Sequence, residues 1–161
     1  MGNRAFVPHT ITSDSALGGS VIDHSIRFNR GDNPHFSRTP SGAGNRRIWT
    51  YSVWLKRTDF GERSFFQAYG GTSRRFQLSF NSNDQINYNQ GGNASSGVAN
   101  SYMRFRDPTA WYHIVAAANY NEDSSANRIK IYVNGSQIDL NITDDVENSD
   151  GECNAALEHE I

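Results

Sequence analysis

Apolar and polar residues alternate in short runs along most of the chain after residue 24. The pattern is clearest at residues 25–29, 48–56, 75–80 and 85–89. A period of two places successive side chains on opposite faces, as in a β-strand with one buried face. No window of a dozen residues carries an apolar stripe at helical spacing that strand formers or glycine do not interrupt. The pattern therefore predicts an all-β fold.

The dipeptide Asn134-Gly135 carries the most specific local signal. Residues 129–133 and 138–142 alternate on either side of it. Asn-Gly favours a type I′ turn, which needs positive φ at both central positions, so we expect the tip of a two-residue β-hairpin here. Residues 111–119 are almost continuously apolar, which predicts a strand that is covered on both sides or lies at the centre of a sheet.

The chain length and the inward parity of these runs predict a single core. A chain of 161 residues suffices for one hydrophobic core and hardly for two. We therefore expect one sandwich of two antiparallel sheets over residues 25–161, preceded by an extended N-terminal arm over residues 1–24, which show no sustained period. The predicted core contributors are Trp49, Tyr51, Phe76, Phe80, Trp111 and Val133.

Charge and composition exclude several classes of partner. The formal net charge is -2 at pH 7, which gives no basic surface for nucleic acid or for an anionic membrane. No apolar run is long enough for a membrane span or for the apolar region of a signal peptide, so no membrane insertion is expected. Cys153 is the single cysteine, so no intrachain disulfide can form, and synthesis in a reducing cytoplasm is expected.

No catalytic centre, metal site or cofactor is predicted. Glycoside hydrolysis needs two carboxyl groups flanking the scissile bond; Glu158 and Glu160 share a strand face but have no third acid beside them. The histidines are scattered, so no zinc spacing emerges, and a packed, hydrogen-bonded His113 is expected. An acidic loop after the hairpin could hold calcium, but a solvated loop is the favoured interpretation. Its acids are Asp144, Asp145, Glu147, Asp150 and Glu152.

Strand parity also predicts a polar outer face that could bind a glycan. An inward orientation is expected for Phe76, Leu78, Ile86, Tyr88, Met103 and Phe105. Their neighbours of opposite parity then point outward, and amide and guanidinium groups with an aromatic ring are the side chains that bind sugars. The candidate glycan-binding residues are Arg75, Gln77, Asn87, Asn89, Tyr102 and Arg104. An ordinary polar outer face is the alternative.

Several segments carry a resemblance to a known family. Residues 105–115, FRDPTAWYHIV, and residues 128–135, RIKIYVNG, resemble laminin-G-like, concanavalin-type jelly-roll domains. Together with SRTP at residues 37–40 and NRRIWTYSVW at residues 45–54, they are similar to the version of that domain in structural proteins of marine bacteriophages. The resemblance spans about residues 25–161 and implies a two-sheet jelly roll. Such domains usually close with a further strand, so the domain is interpreted as one that could lack its final strand.

The resemblance implies a virion structural protein, made in the host cytoplasm. It would be a tail fibre, an appendage or a capsid decoration subunit, with other virion subunits as partners and a homo-oligomer expected. Its jelly roll would mediate assembly and could also bind host-surface polysaccharide. The alternatives are a free carbohydrate-binding, lectin-like module and, less favoured, a glycoside hydrolase. In the role of a virion subunit, the arm side chains that would dock on a neighbouring subunit are Phe6, Val7, Ile11, Leu17, Val21 and Ile22. A disordered terminus is the alternative interpretation of the arm.

Overall fold

The computed structural model describes residues 24–71, 74–91, 97–144 and 146–161. The chain divides into two compact units, Met1–Pro34 and His35–Ile161. In the first unit, the described residues form one 3-10 turn at Arg30–Asp32 and no strand, so the strand predicted at residues 25–29 is wrong. The sequence Gly31-Asp32-Asn33-Pro34 is rich in turn formers, and Asn33 has a φ of 47°. The six arm side chains named above lie outside the described residues.

The regular secondary structure of the second unit is almost entirely β-strand. One helical turn, α1 at Ser125–Arg128, leads directly into the strand that begins at Ile129. The strands are β1 Ser37–Arg38, β2 Ile48–Lys56, β3 Arg63–Tyr69, β4 Arg75–Phe80, β5 Gln85–Gln90, β6 Val98–Arg104, β7 Trp111–Asn119, β8 Ile129–Val133, β9 Ser136–Ile138, β10 Leu140–Asp144 and β11 Glu158–Glu160. No helix in the described part of the chain has the length and apolar character that a membrane crossing requires.

These strands form two antiparallel sheets. The seven-stranded sheet has the order β1-β11-β3-β4-β5-β6-β10, and the four-stranded sheet has the order β2-β7-β8-β9. This architecture confirms the predicted two-sheet sandwich. The last strand, β11, lies between β1 and β3, where Glu160 is paired with both Ser37 and Gln67.

The core lies between the two sheets and is rich in aromatic rings. Trp49 of β2 packs edge-on against Phe76 of β4, with ring centroids 5.0 Å apart, and lies parallel to Tyr88 of β5. Four of the six predicted core contributors are buried and Tyr51 is half-buried. Trp111 is a correction, because it is 48% exposed on the outer face of β7 and Tyr112 fills the inner position. β7 nevertheless lies between β2 and β8, as expected for a central strand.

The Asn134-Gly135 hairpin is confirmed. Asn134 and Gly135 have φ values of 50° and 84°, and Val133 pairs with Ser136 directly across the turn. The second half of this predicted hairpin does not continue as one strand. It breaks at Asp139, so β9 completes the four-stranded sheet while β10 crosses over to pair with β6 in the seven-stranded sheet.

Candidate functional site

The outer face of the seven-stranded sheet carries a continuous array of carboxamide side chains. Two rows of cross-strand neighbours build it. Gln67, Gln77 and Asn89 are paired across β3, β4 and β5. Asn87, Asn100 and Asn141 are paired across β5, β6 and β10. We call the resulting surface the amide face; its members are Gln67, Gln77, Asn87, Asn89, Asn100 and Asn141.

Alternation along the strands explains why these side chains share a face. On β5 the inward Ile86 and Tyr88 have no exposed surface, so Asn87 and Asn89 must point outward. On β4 the inward Phe76 and Leu78 are fully buried, so Gln77 between them must point outward. The burial of apolar side chains beneath the sheet thus holds the amide groups above it.

Hydrogen bonds within the amide face orient several of its side chains. The Nδ2 atoms of Asn87 and Asn81 both donate to Asn100 Oδ1, each at 3.0 Å. Gln77 Nε2 donates to Ser64 Oγ, and Gln67 Nε2 donates to Glu160 Oε2. These bonds fix the amide planes but use only part of their capacity, because each amide has two donor hydrogens and two acceptor lone pairs.

A shallow depression of about 280 Å³ lies beside these residues. It is lined by Glu62, Arg63, Ser64, Gln77, Ser79, Phe80, Asn81 and Asn87. At the other end of β4, Arg75 is paired with Tyr69, which is 47% exposed. The Nε atom of Arg75 is enclosed and has no hydrogen-bond partner among the described residues. This end of the face therefore offers a guanidinium group and an accessible aromatic ring.

Four of the six predicted glycan-binding residues share this outer face as expected, namely Arg75, Gln77, Asn87 and Asn89. Arg104 lies at its far end, paired with Gln85. Tyr102 is separated from the others, because β6 carries two extra residues between its pairing with Gln85 and its pairing with Asn87. Tyr102 instead lines a second depression with Ile138 and Leu140. The same irregularity leaves Met103 39% exposed, so its predicted core position is wrong, whereas Phe105 is fully buried.

Sequence reasoning missed Gln67, Asn100 and Asn141 as members of the amide face. The signal was weak at β3, where a register shift between Ser64 and Phe66 interrupts the alternation that would have marked Gln67 as outward. Asn141 lies in the run that the sequence predicts to be the second strand of the Asn134-Gly135 hairpin, whereas in the structure this part of the run pairs with β6. The outward parity of a residue can be read from a sequence, but its neighbours on adjacent strands depend on the pairing order.

The acidic loop after β10 is paired with arginines. Glu152 Oε2 contacts Arg46 Nη2 and Arg74 Nη2, each at 3.2 Å, and Asp150 Oδ1 accepts from Arg47 Nε at 2.7 Å. The hydrogen bond from Arg47 lowers the pKa of Asp150 below its usual value. The described part of the loop is therefore held by ion pairs to the chain before β2 and β4, while about half of the Asp150 side chain stays exposed. Asp145 lies outside the described residues. In the described ranges, no group of three or more potential ligand side chains is placed to hold a metal ion.

Other candidate side chains have structural surroundings. His113 Nε2 is 2.9 Å from Ser52 Oγ, and its ring stacks on Trp54, as expected for a packed, hydrogen-bonded histidine. Burial raises the pKa of the Cys153 thiol to about 12, so it is protonated at neutral pH. Glu158 and Glu160 share the outer face of β11, paired with Tyr69 and Gln67 respectively.

Comparison with known proteins supports the fold. A family model described as "Concanavalin A-like lectin/glucanases superfamily" matches residues 30–154. Comparison with curated proteins and with solved structures finds no match to this chain. Because the matched residues cover most of the chain, and two packed antiparallel sheets agree with the match, the chain belongs to the concanavalin A-like lectin/glucanases superfamily.

Proposed function

We propose that this domain is a lectin-like module that binds an uncharged polysaccharide through the amide face, without catalysis. The observation that carries the proposal is the array of six carboxamide side chains presented by adjacent strands, four of these side chains being held by hydrogen bonds. Sugar hydroxyl groups both donate and accept hydrogen bonds, and a carboxamide offers both functions in one plane. An amide array is therefore matched to a surface of hydroxyl groups.

The amide face retains unused hydrogen-bond donors and unused hydrogen-bond acceptors. The Asn89 and Asn141 side chains make no hydrogen bond with the described residues, and Gln77 Oε1 remains free as an acceptor because its bond to Ser64 uses only Nε2. Asn100 Oδ1 already accepts two bonds, so its Nδ2 hydrogens remain available as donors. Unused donors and acceptors are thus present on several strands, which suits an extended chain better than one small molecule.

The charge of the face favours an uncharged ligand. On β4 and β5, Arg75 is the only charged residue. Glu160 on β11 is opposite in sign, and its carboxylate accepts a hydrogen bond from Gln67. A face with so little net charge gives no electrostatic advantage to an acidic polysaccharide.

Tyr69 takes the aromatic role that sequence reasoning gave to Tyr102. It is paired with Arg75 on the same outer face and nearly half of its surface is exposed. A sugar ring could pack its C–H groups against this ring while its hydroxyls reach the amides.

Binding to the amide face should be weak for each sugar unit. The depression of about 280 Å³ is small compared with a typical small-molecule site. About four hydrogen bonds contributing roughly 1 kcal/mol each would give a Kd on the order of 1 mM. Long polymers, which offer many overlapping sites, are therefore the appropriate probes.

The experiment is affinity electrophoresis of the full chain in gels containing neutral polysaccharides, followed by variants on the polymer that retards it. The double variant Gln77→Ala/Asn89→Ala should lose at least tenfold in affinity. The matched control is Gln137→Ala, which removes an exposed amide from β9 in the other sheet. The proposal is contradicted if the double variant and the Gln137→Ala control are retarded equally. It is also contradicted if no neutral polymer retards the parent chain. Release of reducing ends would instead support a hydrolase.

A second candidate function is a structural subunit of a bacteriophage particle. The sequence resemblance implies it, and one structural observation favours it, namely the long edge of β2 in the four-stranded sheet, which no described strand covers. A subunit of a particle needs such surfaces for its neighbours. Detection of the chain by mass spectrometry in purified particles would support this role, and its absence from every particle fraction would oppose it.

A further inference from the structure

β2 is a nine-residue strand at the edge of the four-stranded sheet, and among the described strands it pairs only with β7. The other edges are short or irregular. β1 has two residues, β9 has three, and the pairing of β10 shifts in register between Ile142 and Asp144. Natural sheets protect their edges with short strands, bulges, prolines or charges. β2 has no proline, no interruption in its register with β7, and one charged residue, Lys56, at its end.

The hydrogen bonds of His113 reveal which backbone groups of β2 face the open edge. His113 N–H donates to Asn134 Oδ1, and its C=O accepts from Asn134 N–H, both at 2.9 Å. His113 therefore points away from β2, and its partner across the pair, Trp54, must point away from β7.

Alternation extends this result along the strand. The N–H and C=O groups of Thr50, Ser52, Trp54 and Lys56 face the open edge, while those of the intervening residues bond to β7. At Ile48 the N–H is occupied by Asn45 Oδ1 at 2.9 Å. The remaining edge groups of β2 have no partner among the described residues.

Apolar surface lies directly beside this edge. Trp54 is 54% exposed and stacks on His113, with ring centroids 4.9 Å apart. Trp111, paired with Lys56, is 48% exposed. An added strand would satisfy the free backbone groups and cover part of the Trp54 ring, whereas Trp111 on β7 lies one strand farther from the edge.

We propose that β2 pairs antiparallel with β2 of a second copy of this chain, about a two-fold axis at Ser52. This register sets Ser52 opposite its own equivalent, Thr50 opposite Trp54, and Ile48 opposite Lys56. Because the Ile48 N–H already donates to Asn45, each end pair adds one hydrogen bond instead of two. The charge distribution of β2 suits this arrangement. The two Lys56 side chains lie at opposite ends, about 27 Å apart at roughly 3.4 Å per residue, whereas a parallel pairing would bring them together. The two four-stranded sheets become one sheet of eight strands, and the amide face is not involved.

The first test is sedimentation velocity of the full chain over a concentration series, with two variants at the axis. Ser52→Arg places two like charges opposite each other and should raise the dimer dissociation constant at least tenfold. Ser52→Ala is the matched control, because it also removes the contact between Ser52 and His113 but adds no charge. A parent chain that stays monomeric overturns the proposal. A dimer that Ser52→Arg leaves intact also overturns it, because another segment, such as residues 1–23, would then hold the copies together.

The second test is oxidative cross-linking, which reports the register itself. Two residues that face each other as a hydrogen-bonded pair in an antiparallel sheet have Cα atoms about 5.5 Å apart. This separation is within the range that a disulfide spans. Ser52→Cys should therefore form a covalent dimer in near-complete yield, whereas Lys56→Cys should form almost none. Cys153 is 3% exposed and does not compete for cross-linking. Equal yields from the two variants would overturn the proposed pairing.

Discussion

Gly135 illustrates how one residue sets local geometry. Its φ of 84° lies in the left-handed region, and a Cβ built there meets no atom within 4 Å. The requirement for glycine is therefore conformational and not a matter of space. Asn134 precedes it with a φ of 50°, and Asn is one of the few residues with a side chain that tolerates this region.

Replacing Gly135 with Val should lower the free energy of unfolding by roughly 1–2 kcal/mol, because a β-branched residue is strained at positive φ. Urea denaturation of parent and variant measures the difference. Gly42→Val is the matched control, since Gly42 also has open space around its Cβ position but no positive φ. A loss of stability that is equal in the two variants would refute the conformational explanation.

At the scale of elements, Arg57 and Asp84 hold together three loops at one end of the second unit. These loops join β2 to β3, β4 to β5 and β6 to β7. Arg57, 4% exposed, follows β2; it contacts Asp84 Oδ1 at 2.9 Å and donates to the carbonyl oxygens of Phe105 and Gly61, each at 2.9 Å. Arg106 Nε contacts the other oxygen of Asp84 at 2.9 Å. The hydrogen bond from Arg106, with the contribution of Arg57, holds the pKa of Asp84 below its usual value.

Asp84→Asn should destabilise the protein at neutral pH, because it leaves the buried Arg57 without its counterion. Asn suits the backbone at this position, where φ is 63°. A lowered pKa means that the stabilisation by Asp84 is present above its unfolded-state pKa of about 3.9 and is lost as the pH falls through the folded-state value. The difference in the free energy of unfolding between the parent and the Asp84→Asn variant should therefore be constant near pH 7 and shrink below about pH 4.

Chemical denaturation of both proteins at pH 7 and pH 3 tests this. Asp139→Asn serves as the control, because the Asp139 carboxylate makes no ion pair among the described residues. The interpretation fails if the free energies of unfolding of the parent and the Asp84→Asn variant differ by the same amount at pH 7 and at pH 3.

At the scale of the whole molecule, the sequence predicted the class of fold and part of the candidate site. Period-two alternation reports burial directly, which is why β2, β4, β5 and β8 and the outward orientation of Gln77 and Asn89 could be predicted. The pairing order could not be predicted, because β11 enters the sheet between β1 and β3 from the far end of the chain. The bulge in β6 also had no signal in the alternation, and Tyr102 was misplaced for that reason.

The most direct test of the account is a ¹⁵N NMR titration of the side-chain amide groups with an oligosaccharide of the neutral polymer that retards the protein. Asn and Gln side-chain NH₂ groups give separate signals, so the ligand contact can be located on one sheet or the other. Binding at the amide face should shift the signals of Gln77, Asn87, Asn89 and Asn100 and leave those of Gln137 and Asn119 in the four-stranded sheet unchanged. Shifts confined to the four-stranded sheet, with the amide face unchanged at saturation, would contradict it.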